Sequence, residues 1–221
     1  MKALFWIALP LLLWAALVHL RPTLITPHCI GEPKLCTRES VPPVDRIALG
    51  VEIGDADGYS YITQNSAGVI AVAGILGTDL LLTPGPGGWM LALRDLSILV
   101  QTTGWNGVGN EVSHLAYQRP RPFVYANPAE AGRDPSHYVS FWSGHTSFTA
   151  AAMVALALCL RRRRARPSVQ VAFDSLGLAL IIATAIFRIF AGRHFPTDVI
   201  AGAVGGSLIA YAVARFNAAR L

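Results

Sequence analysis

Blocks of apolar residues constrain this chain more than any other feature. Six of them, at roughly 3–20, 67–82, 89–108, 148–160 (extended back to Ser143), 171–190 and 199–213, are separated by short polar links or by one long polar segment. A helix needs about 20 residues to cross the hydrocarbon of a bilayer, and only helices or closed barrels satisfy every backbone group there. Composition agrees: 14% of the 221 residues are charged, against about 25% in soluble domains. The expected fold is therefore all-α, a six-transmembrane helical bundle forming one domain over 1–221. The third block is the least apolar. Its end, "QTTGWNGVGNEV", is too polar to meet lipid and must face the protein interior.

A net charge of +5 is compatible with a nucleic-acid partner, but five arginines lie in one tract, "RRRRAR" (161–166), directly after an apolar block. That placement marks a cytoplasmic link, and Arg215 and Arg220 mark a cytoplasmic C-terminus. Counting back through the spans puts the N-terminal "MK" inside as well. The segment 21–66 and the links after the third and fifth spans then lie outside, in a protein of the plasma (inner) membrane. The first block, 1–20, reads as a retained span or uncleaved anchor, since no A-x-A site follows it; cleavage would keep the same outer face.

In the outer segment, Cys29 and Cys36 flank a short Gly- and Pro-containing loop, "HCIGEPKLC", which favours a disulfide outside the cytoplasm. His28 beside them lacks an evident fourth ligand, so a metal site is disfavoured. The segment as a whole suggests an ordered cap. Cys159, inside an apolar block, is expected to pack as a small hydrophobe.

Three polar clusters fall at the outer ends of spans: "HLAYQRPRPF" (114–123), "SFWSGHTSF" (140–148) and "FRIFAGRHFPTD" (187–198). Arg119, Arg121, Arg188 and Arg193 present guanidinium forks that match phosphate oxygens, although Arg119 and Arg193 could equally snorkel to head groups. Ser143 and Gly144 open a helix whose free N–H groups favour an anion. His194 and Asp198, four residues apart, can share one face of a helix starting near Pro196. There Asp198 would orient the imidazole and leave its other nitrogen free to attack. His145, on another helix, could protonate a leaving oxygen. Gly192 is expected to end the fifth span in the left-handed conformation and turn His194 outward.

These clusters resemble the type 2 phosphatidic acid phosphatase superfamily, which also includes vanadium haloperoxidases and whose pattern is K-x6-R-P, P-S-G-H and S-R-x5-H-x3-D. The resemblance implies a membrane phosphatase that cleaves a phosphomonoester or diphosphate of a lipid through a phosphohistidine, without metal or other cofactor and without nucleic acid. It makes His194 the nucleophile, Asp198 its partner and His145 the acid, with Arg121, Ser143, Gly144 and Arg188 as the phosphate cradle. His114 stands where the family has lysine, and Arg119 could supply the missing charge. Trp142 replaces the second block's proline and Phe187 the third block's serine. A phosphotransferase and a non-catalytic lipid-phosphate binding or transport protein are the alternative readings.

Elsewhere, Asp79 and Arg94 are expected to form an ion pair within the spans, with Asp95 beside them. Asp174 is placed in the first turn of the fifth helix, Gly202 and Gly206 at a close helix contact, and His137 in water.

Overall fold

The computed structural model describes residues 2–218, all of whose regular structure is helical. Six long helices form the body: α1 (Lys2–Leu24), α2 (Ala56–Leu82), α3 (Pro86–Tyr117), α4 (Gly144–Arg162), α5 (Pro167–Phe190) and α6 (Pro196–Ala218). Four stretches are long and apolar enough to cross a membrane: Phe5–Gly31, Ala56–Leu82, Pro167–Phe190 and Pro196–Ala218. Met1 and Arg220, used in reading the topology, lie outside the described residues.

Local chemistry sets the helix starts. Proline occupies the first helical position of α3, α5 and α6, where its missing N–H costs nothing. Asp55 caps α2 by accepting from the Gly58 amide, and Ser143 caps α4 through the Thr146 amide. α2 begins at Ala56, eleven residues ahead of the apolar block that announces it. The extra turns carry Ser60, buried, and Thr63, whose hydroxyl meets that of Thr184 on α5. Polar residues that face protein can extend a helix beyond its apolar run, so the cap is shorter than the 21–66 expected.

α4 is the central helix, in contact with α2, α3, α5 and α6, while α1 lies along α3. Its inner face is built from small residues, Ala150, Ala151, Ala152 and Ala155, all buried. The spacing of Gly202 and Gly206 on α6 meets this face directly. A Cβ on Gly206 would lie 2.1 Å from the Ser147 carbonyl oxygen, and one on Gly202 would lie 2.6 Å from that of Ser143. The polar end of α3 also turns inward: Gln101, Thr102, Asn106, Asn110 and Glu111 are buried, and Asn106 Nδ2 donates to Ser147 Oγ at 3.1 Å.

The bundle has two polar ends. At one, Asp79 and Asp95 are buried, but their partner is not Arg94. Arg163 reaches Asp79 at 2.6 Å and Asp95 at 2.7 Å, and Arg162 reaches Asp95 at 2.7 Å. The arginine tract at the end of α4 therefore bends back to neutralise both carboxylates. Cys159 is buried as expected, with its thiol 3.3 Å from Asp95. Asp174 is two turns into α5, because that helix starts at Pro167, and it pairs with Arg161. The other end, about 28 Å away along the 19 residues of α4, carries the three polar clusters and the cap.

The cap is made of short helical turns: His28–Gly31, Pro33–Cys36, Arg38–Ser40 and Arg46–Ala48. Cys29 and Cys36 are disulfide-bonded, which removes both thiols as metal ligands. Ile25, Cys29 and Cys36 pack with Val124, Tyr138 and Val139 of the α3–α4 link, and Val41 and Ala48 pack on Phe195. Ile53 donates to the Phe190 carbonyl at 2.9 Å, fastening the cap to the end of α5.

Candidate active site

One cavity of about 370 Å³ opens at the capped end, lined by residues from every long helix but α6, together with the α3–α4 and α5–α6 links. Of the expected site residues it collects His114, Arg121, Gly144, His145, Arg188 and His194, and it adds Arg21, Asp57, Tyr61, Asn110, Glu111, His137 and Arg193. His137, expected in water, thus faces the cavity, and its Nδ1 meets the Ala131 carbonyl at 2.6 Å.

Short chain segments bring the clusters together. The Arg121 amide donates to the His137 carbonyl, and the Ser140 amide donates to the Arg119 carbonyl. The link before α4 is pinned to the end of α3: Asn110 Nδ2 donates to the Trp142 carbonyl at 2.8 Å, and the Trp142 amide donates to Ser113 Oγ. The Ser143 amide donates to the Asp198 carbonyl, which joins the starts of α4 and α6. Gly192 has φ +63°, the left-handed turn expected of it, and His194 follows two residues later.

His194 is buried. Its Nδ1 lies 2.7 Å from the Ser140 carbonyl oxygen, which can only accept. The proton therefore resides on Nδ1, and the Nε2 lone pair is left for the cavity. Burial first, then the charges of Arg188 and Arg121, push the His194 pKa well below its ordinary value. The ring is neutral at physiological pH.

Asp198 does not bond His194 directly. Its Oδ2 is 4.0 Å from Nδ1 and instead accepts from Ser140 Oγ at 2.5 Å and from the Phe195 amide at 2.9 Å. Ser140 is the intermediary, since its hydroxyl is held by Asp198 while its carbonyl holds the histidine. The reason is the 195–198 turn, which takes the carboxylate for its own amide.

Arg119 also differs from expectation, for it does not line the cavity. Nη1 donates to Asp198 Oδ1 at 2.6 Å, Nη2 donates to Asp45 Oδ2 at 2.8 Å, and the guanidinium stacks 4.0 Å over Phe195. Two buried carboxylates hold it away from any substrate. Ser143 is fully buried and spends its hydroxyl on Thr146, so only Gly144 of that pair reaches the cavity. His114 lines the cavity, but its nitrogens face protein: Nε2 is 3.3 Å from the Trp142 carbonyl and Nδ1 is 3.6 Å from Glu111.

The cavity's cations are unevenly paired. Arg21 donates to Glu111 at 3.0 Å. Arg188 and Arg193 share Asp57, which Arg188 Nη1 and Arg193 Nη2 both approach. No carboxylate bonds Arg121 among the described residues, and its Nε is buried without a partner. Burial, with Arg188 and Arg193 nearby, brings its pKa down to about 9. His145 Nε2 is likewise buried and unpartnered, with Tyr61 edge-on to its ring at 4.4 Å. A guanidinium and an imidazole left unpaired beside a neutral histidine make a site for an anion.

Three of these residues, Asp45, Asp57 and Glu111, have no sequence signal that would single them out. They are acidic residues in ordinary polar stretches whose arginine partners lie 74 or more positions away.

Comparison with known proteins gives one match. Residues 95–221 match a family model described as PAP2 superfamily. No curated protein and no solved structure matches.

Proposed function

The chain belongs to the PAP2 superfamily, whose model covers more than half of it, and from that premise we propose that it is a membrane phosphatase acting on the phosphate of a lipid through a phosphohistidine. The observation that carries this reading is the bond from His194 Nδ1 to the Ser140 carbonyl. It fixes the one tautomer in which Nε2 can act as a nucleophile.

In this mechanism Arg121, Arg188 and the amides at the start of α4 hold the phosphoryl oxygens. His194 Nε2 attacks phosphorus, forming a P–N bond as the P–O bond to the lipid breaks. Protonated His145 gives its Nε2 proton to the departing oxygen. Water then attacks the phosphohistidine and His145 takes its proton, so phosphate leaves and His194 returns neutral. The arginines neutralise the charge that develops in both steps, so the reaction requires no metal. Asp198 and Ser140 are positioning residues, because they hold the imidazole without touching substrate.

Six spans, with both termini in the cytoplasm and the cavity at the outer surface, suit this chemistry. The arginine tract then sits on the cytoplasmic side, and a lipid head group enters the cavity from the outer leaflet. α3 and α4 are the spans of weaker apolar character because their polar faces are turned to one another and to the site.

The test is phosphate release from a panel of lipid phosphates by detergent-purified protein in a chelator. Wild type should turn over, and His194→Ala should lose at least about a thousandfold in kcat, as expected for loss of a covalent nucleophile. It should still bind orthophosphate. Turnover by His194→Ala close to the wild-type rate would end the phosphohistidine assignment.

A further inference from the structure

We propose that Asp57 sets the cavity to accept a lipid monophosphate in preference to a diphosphate, an inference that rests on the phosphatase reading. Asp57 lies in the first turn of α2, just past the cap, and its half-buried carboxylate faces the cavity. Both of its oxygens are engaged, Oδ1 by Arg188 Nη1 and Oδ2 by Arg193 Nη2. It is thus a built-in anion on two of the guanidiniums that surround the substrate's phosphate.

The charge count follows. Four arginines line the cavity: Arg21, Arg121, Arg188 and Arg193. The two carboxylates that line it, Asp57 and Glu111, are each paired with one or more of them. Set against one another, the four arginines and two carboxylates leave two positive charges. A phosphomonoester carries a charge of about −1.5 to −2 at pH 7, which this surplus matches. A diphosphate carries more, and the excess would sit in a partly buried cavity without a counter-charge, where desolvation is costly. Glu111 is buried and committed to Arg21 and His114. Asp57 is the carboxylate placed against the phosphate-binding arginines, so it decides the balance.

The experiment compares orthophosphate with pyrophosphate as ligands of the detergent-purified full chain, using thermal stabilisation to obtain both dissociation constants. Wild type, Asp57→Asn and Arg193→Gln are measured side by side. Wild type should prefer orthophosphate. Asp57→Asn adds one net positive charge and should shift the ratio of the two constants toward pyrophosphate by about tenfold, the scale of one charge acting across a few ångströms in a partly wet site. Arg193→Gln removes a charge and should move the ratio the opposite way, which a general loss of folding would not do. Preference of the wild type for pyrophosphate, or both variants shifting the ratio in the same direction or not at all, would overturn the proposal. Turnover of a matched lipid monophosphate and diphosphate separates this from the underlying reading. If the anions behave as described but no lipid is dephosphorylated, the phosphatase reading fails and the charge assignment stands. If neither anion stabilises any of the three proteins, the phosphate site itself is refuted.

Discussion

Arg119→Met should destabilise the protein severely rather than weaken its hold on substrate. The guanidinium bridges Asp45 and Asp198, whose side chains are 1% and 0% exposed. Methionine keeps the volume of the stem but leaves two carboxylates facing one another in the interior. Removing one partner of a buried ion pair typically costs about 3–5 kcal/mol, because the remaining charge is stranded. Hydrogen bonds from Thr197 and Ser140 to these carboxylates keep the cost toward the lower end of that range. For a chain of this length 1 kcal/mol corresponds to roughly 2–4 °C in Tm, so a fall of about 6–12 °C is expected in a thermal melt of the detergent-solubilised protein. Asp45→Asn added to Arg119→Met should recover part of the loss by removing one stranded charge, a coupling that a double-mutant cycle resolves. KM for a lipid phosphate should stay within about threefold at temperatures where the variant is folded, because Arg119 does not line the cavity. An unchanged Tm together with a tenfold rise in KM would refute the reasoning and make Arg119 a substrate ligand after all.

The remaining predictions concern pH and packing. Because burial and two arginines hold the His194 pKa down, kcat/KM should persist as pH falls below the ordinary histidine range of about 6.5. An acid limb set by His194 at 6.5 or higher in the pH–rate profile would contradict this. Arg121 loses its proton as pH rises through about 9, so KM should climb on the alkaline side, and Arg121→Gln should abolish that limb while raising KM throughout. Gly206→Ala forces a Cβ to within 2.1 Å of the Ser147 carbonyl oxygen and should cost about 1–3 kcal/mol or more through overpacking. Gly77→Ala, with nothing within 4 Å of the added atom, should leave the melt unchanged.

The residues of the proposed reactive core were legible in the sequence, and the wiring around them was not. The proposed phosphoryl-transfer site draws Arg188, His194 and Asp198 from one short segment, which made them legible as a block. The six long helices and the left-handed turn at Gly192 were legible too, since they follow from local apolar runs and local backbone freedom. The ion-pair partners were not. Asp79 finds Arg163 and Asp95 finds Arg162 and Arg163, and the choice over Arg94 depends on which helix end lies opposite. Neighbours such as Arg94 and Asp95 point about 100° apart on a helix, so sequence adjacency carries no pairing information. The roles of Asp45, Asp57 and Ser140 likewise depend on helix packing, which brings together residues that 58 to 152 positions separate.

The bond network at Asp45 bears on how molecules come and go. This cap residue accepts from Arg119, from the Thr197 amide and from the Thr197 hydroxyl. Arg119 in turn holds Asp198, which holds Ser140 behind His194. A cap that swung away would strip Arg119 of one of its two carboxylates and loosen the chain of bonds that runs through Asp198 to Ser140. The same bonds tie the cap to the start of α6 as a roof beside the cavity. Under the proposed function, the rim of the cavity, where Arg193 and Asp57 stand half-exposed, is the part of the site that an arriving phosphate meets first.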